Sequence, residues 1–95
     1  MIKSFKDKET EKVFFQEYSK KIPTNIQRIA LRKLMMINAA EQISDLKSPP
    51  GNHLEALSGD KTGKWSIRIN DQWRIIFTPS SDGRDCEDVE IIDYH

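Results

Sequence analysis

Arg68 and Arg74 sit in two strand-like runs, KWSIRIN and QWRIIF, on either side of Asn70-Asp71, and the chain ends in Asp93-Tyr94-His95. A guanidinium keeps its charge throughout the physiological range and offers paired N–H donors that match phosphate oxygens. Imidazole titrates near neutrality, so His95 is the side chain best suited to carrying a proton. Guanidinium groups and a proton carrier are residue types that chemistry at a phosphate group can use.

These residues need a sheet to hold them. Asn70-Asp71 is a polar pair of the kind that closes an antiparallel hairpin. Period two then sets Trp65, Ile67 and Ile69 on one face of the first strand and Lys64, Ser66, Arg68 and Asn70 on the other. In the second strand Trp73, Ile75 and Phe77 form the apolar row and Arg74 faces the opposite way. One face is buried and the other carries cations.

Ninety-five residues fit a single domain, residues 1–95, with a limited core. No apolar run is long enough to span a bilayer, and MIKSFKDKET lacks the apolar centre of a signal peptide, so a soluble, cytoplasmic protein is expected. The lone Cys86 cannot form an internal disulfide, and no Cys/His cluster has zinc-ligand spacing, so neither metal nor cofactor is expected. The formal net charge is zero, yet residues 1–37 carry nine basic side chains against four acidic ones. The acidic excess lies later, notably in Asp82, Asp85, Glu87, Asp88 and Glu90, so the basic end can face a polyanion while the acidic loop faces elsewhere.

In chain order, the alternation in Met1-Ile2-Lys3-Ser4-Phe5 predicts an N-terminal strand. Residues 7–21 favour a helix that Ile22-Pro23 ends. Thr24-Asn25-Ile26-Gln27 reads as a capping box opening a second helix. Ile26, Ile29, Ala30, Leu34, Ile37 and Ala40 extend that helix to about Ile43. The break Ser48-Pro49-Pro50-Gly51-Asn52 follows, and the pattern changes to period two. Leu54 to Leu57, the hairpin, and Val89 through Ile92 supply the later strands, with a polar loop from Pro79 to Asp88. The result is an α+β domain: two N-terminal helices packed on a mainly antiparallel sheet of four to five strands.

MIKSF, GNHLEALSGDKTGKWSIRINDQWRIIF and VEIIDYH together resemble the HigB branch of the RelE/ParE superfamily of bacterial toxins, over nearly the whole chain. The resemblance implies a microbial-RNase-type fold and a ribosome-dependent endoribonuclease that cuts mRNA in the A site. It also implies a helix-turn-helix antitoxin as partner, and operator DNA reached through the antitoxin complex. A different activity within the superfamily, gyrase inhibition or a co-repressor role without catalysis, is the alternative. The resemblance makes His95 the acid/base group and adds Tyr94, as a base-stacking or phosphate-holding ring, and Asp93, as an orienting or proton-transferring carboxylate. Arg74 and Arg68 become phosphate contacts, with Lys64 on the same cationic face. Lys61 matches a basic position after Gly-Asp, and His53 falls at the edge of the site as a second acid/base candidate. One departure stands out, because Ser58 occupies a place where related toxins carry lysine or arginine before Gly-Asp.

Overall fold

The computed structural model describes residues 1–94. Asp7 starts the first helix: its carboxylate accepts from the Thr10 N–H at 2.7 Å, capping α1, Lys8–Phe14. The helix is shorter than the composition of residues 7–21 predicts. Gln16 takes a left-handed φ of 62°, and the turn beyond it is gathered around buried Ser19. The Ser19 hydroxyl donates to Glu9 at 2.6 Å and accepts from the N–H groups of Lys21 and Ile22. Tertiary hydrogen bonds thus replace the last helical turn.

The second helix, α2, is Thr24–Ala39. Its predicted capping box does not form, because Thr24 is already helical and Pro23 is the cap. Proline presets the φ that leads into the first turn. Gln27 is used differently, donating its amide N–H groups to the carbonyls of Ser19 and Ile22 at 2.8 and 2.7 Å. The helix stops at Ala39, short of the predicted Ile43, which instead opens the 3-10 turn Ile43–Lys47 with a capping box made by Gln42 and Asp45. Ile26, Ala30, Leu34 and Ile37 are buried at the spacing the sequence shows.

Four strands follow: β1, Glu55–Ala56; β2, Trp65–Arg68; β3, Trp73–Pro79; and β4, Cys86–Asp93. They form an antiparallel sheet in the order β1-β2-β3-β4. The predicted strand at Leu54 to Leu57 contracts to two residues because pairing with β2 is limited to Glu55 opposite Ser66 and Ala56 opposite Trp65. The predicted N-terminal strand is reduced to two parallel bridges, Ile2 with Cys86 and Phe5 with Val89. Those bridges lie beside β4 and cover an edge that would otherwise present unpaired backbone.

The core lies between the helices and one sheet face. Ile67, Ile75 and Ile91 are ladder partners and are buried there with Phe77, Val89, Leu34 and Ile37. Each aliphatic side chain buried in this way contributes about 1.5–3 kcal/mol relative to exposure. Register places Arg68 opposite Arg74, and Ser66 opposite Ile76, on the far face. That face is not wholly open, since Ser66 and Ile76 are both fully buried.

One polar contact ties α2 to the segment leading into the sheet. Lys33 Nζ, buried on α2, donates to Asn52 Oδ1 at 2.5 Å. The Asn52 amide donates in turn to the Leu46 and Ser48 carbonyls at 3.1 and 3.3 Å. Burial pushes the Lys33 ammonium below its ordinary pKa, with Arg32 adding to the effect. Asn52→Ala leaves Lys33 buried without this acceptor, and the expected cost is about 1–3 kcal/mol. Chemical denaturation measures it; an unchanged midpoint would mean that water replaces the amide.

Candidate active site

Strand β3 carries Arg74 onto the sheet face turned away from the helices, because its neighbour Ile75 points into the core. The Arg74 side chain is only 14% exposed, and its guanidinium is held from three directions. Nη2 donates to the His53 carbonyl at 2.7 Å, Nη1 meets Glu55 Oε1 at 3.2 Å, and the Tyr94 ring lies 5.2 Å from the guanidinium carbon. The buried Nε has no hydrogen-bond partner among the described residues. A cation over an aromatic face is attracted by the ring while its N–H edge remains available for hydrogen bonding. A planar cation, a carboxylate and a phenol are thereby gathered on one face of the sheet.

Strand alternation divides the chain's end. Asp93 is the ladder partner of Trp73, so it lies on the face opposite Arg74, while Tyr94 lies with Arg74. The Asp93 carboxylate accepts from the Gln72 side-chain amide at 2.9 Å, and the Tyr94 N–H donates to the Gln72 carbonyl at 2.7 Å. Gln72 therefore anchors both residues to the hairpin. His95, the foremost candidate for proton transfer, lies outside the described residues.

The other candidates are spread around this centre. His53, exposed and at a left-handed φ of 46°, offers Arg74 its backbone carbonyl. Arg68 shares the face of Arg74 and forms an ion pair with Asp71 of the hairpin turn. Lys64 donates to the Thr78 hydroxyl at 3.1 Å. Lys61 closes the 3-10 turn Gly59–Lys61, which Ser58 precedes. Ser58 is exposed, so a larger side chain there meets solvent rather than a packed apolar face.

Glu55 escaped the sequence reading. The usable signal was its place in the predicted Leu54 to Leu57 strand, but assigning it to Arg74 requires the pairing of β1 with β2, which a single sequence does not display. Among the described residues no three His, Cys, Asp or Glu side chains gather as metal ligands would.

The arrangement matches known folds. The chain superposes over 99% of its length on 98% of a YoeB/ParE toxin from Agrobacterium tumefaciens, with a TM-score of 0.57 and 19% identity. It also superposes over its full length on 95% of a chain of the YoeB–YefM complex from Staphylococcus aureus, at a TM-score of 0.58 and 20% identity. Helix pair and sheet thus define the fold of the small RelE-type toxins. Residues 3–95 match the model of the RelE-like toxin of type II toxin-antitoxin system HigB, and the chain belongs to that HigB-like toxin family. Toxin HigB-1 of Vibrio cholerae is 42% identical over 78 residues, covering 81% of this chain and 82% of that one. Endoribonuclease HigB of Proteus vulgaris is 37% identical over 78 residues, 81% of this chain and 83% of that one. An uncharacterised Haemophilus influenzae protein is 51% identical over 57 residues, a match spanning 60% of this chain and 56% of that protein. Among the described residues no helix is long and apolar enough to cross a membrane.

Proposed function

We propose that this chain is an endoribonuclease toxin that cleaves mRNA in the A site of translating ribosomes and is silenced by a helix-turn-helix antitoxin. The observation that carries the reading is Arg74, a mostly buried guanidinium lying over the Tyr94 ring on the sheet face turned away from the helices. RNA carries its own nucleophile, the 2′-hydroxyl. Cleavage then needs a group to accept that proton, a cation to stabilise charge on the phosphorane, and a donor for the departing 5′-oxygen. Arg74 supplies the cation, and the free face of the Tyr94 ring can stack on a base. His95 moves the proton, with Asp93 orienting the end of the chain and His53 as a second acid/base group. Arg68, Lys64 and Lys61 track the RNA backbone, with ribosomal RNA adding a larger phosphate surface for the basic N-terminal segment, residues 1–37.

The kinship with Endoribonuclease HigB supports the reaction class, and the YoeB–YefM complex supports a protein partner. Operator DNA is reached through that partner. Purified protein added to translating ribosomes with a defined mRNA is expected to generate new mRNA ends in the A site, and adding the antitoxin is expected to stop it. Intact mRNA together with altered DNA supercoiling would instead establish gyrase inhibition, and intact mRNA alone would leave a co-repressor role.

A further inference from the structure

Glu55 occupies one terminal nitrogen of the Arg74 guanidinium. Its carboxylate lies 3.2 Å from Arg74 Nη1, the one terminal nitrogen not engaged by the His53 carbonyl. A carboxylate and a phosphate present similar oxygen pairs to a guanidinium, so the two compete for the same edge. The two partners differ in freedom. The Arg74 side chain is 14% exposed and held by Tyr94 and His53, whereas the Glu55 side chain is 51% exposed on a strand of two residues. Glu55 can swing into solvent while Arg74 stays in place.

We propose that Glu55 is an internal counter-anion for Arg74, which the RNA phosphate displaces on binding, so that Glu55 sets the affinity of the phosphate subsite. The inference rests on the proposed reading of Arg74 as a phosphate contact. It has a consequence that a purely structural ion pair lacks. A bare cation binding nucleic acid releases a condensed counterion, giving a contribution of about 0.7 per contact to the salt slope on single strands. Displacement leaves the Glu55 carboxylate free beside the RNA, where it holds a cation in place of the one the phosphate gives up, so the contact contributes little net to that slope.

The experiment is binding of a short 2′-O-methyl RNA, which lacks the nucleophile, to the full chain over a range of salt concentrations. Glu55→Gln preserves shape and removes the charge. It is expected to tighten binding about 2- to 5-fold, the fold-change corresponding to a partly exposed ion pair. The slope of log K against log salt is expected to steepen by about 0.7. Both changes should vanish when Arg74→Ala is also present, because a double-variant cycle isolates the pair from general charge repulsion. Unchanged affinity and slope in Glu55→Gln, with weaker binding in Arg74→Ala, would overturn the counter-anion role while leaving Arg74 as a phosphate contact. Gains that persist in the Arg74→Ala background would overturn it by showing only diffuse repulsion. Unchanged binding in Arg74→Ala would overturn it together with the phosphate reading.

Discussion

Arg74→Ala is expected to slow single-turnover mRNA cleavage on ribosomes by about 10²- to 10³-fold, the loss typical of removing one preorganised donor from a developing oxyanion. Arg74→Lys is expected to recover only part of the rate. An ammonium restores the charge but not the plane that stacks on Tyr94, nor the two-edged fork that reaches the His53 carbonyl and the carboxylate of Glu55 together. Thermal unfolding of the same variants separates chemistry from folding, since Arg74 is mostly buried. Wild-type rates in both variants would reduce Arg74 to a packing residue of the sheet.

His95→Ala is expected to cost more, about 10²- to 10⁴-fold, as for the loss of a general acid or base. Stability and antitoxin binding should stay near the wild-type values. The pH–rate profile is the sharper measurement: the limb that depends on protonation of this side chain should be missing from the variant. If that limb and the rate both persist, proton transfer belongs to another group, with His53 and Asp93 next to be replaced.

Period two in KWSIRIN and QWRIIF was enough to divide the hairpin into its two faces, and helical spacing from Ile26 to Ile37 identified the buried side of α2. Those signals are legible because each repeats several times within one element. Ends of elements were read less well, for reasons seen at particular residues. Ser19 draws the backbone out of helix, and Gln27 is taken by two carbonyls instead of the cap, both through contacts between separate turns. Arg74 could be singled out by its chemistry and its place opposite the apolar row. Its pairing with Glu55 could not, because that contact depends on how two strands align across the intervening 3-10 turn. The separation of Asp93 from Tyr94 followed from alternation alone.

Strand β4 is the last of the four strands to be synthesised, yet it lies between β3 and the first residues of the chain. On one side it pairs with β3; on the other, Lys3 N–H donates to the Cys86 carbonyl at 2.8 Å and Val89 N–H to the Ser4 carbonyl at 3.1 Å. The Ile91 N–H also reaches the Thr10 hydroxyl at 2.9 Å. Contacts that join the two ends of a chain close its largest loop and carry the highest loop-closure entropy. While the protein is still being made, the isoleucine row has no Ile91 and Arg74 has no Tyr94. A nascent chain that has not yet reached Tyr94 therefore lacks the aromatic face that lies against the Arg74 guanidinium.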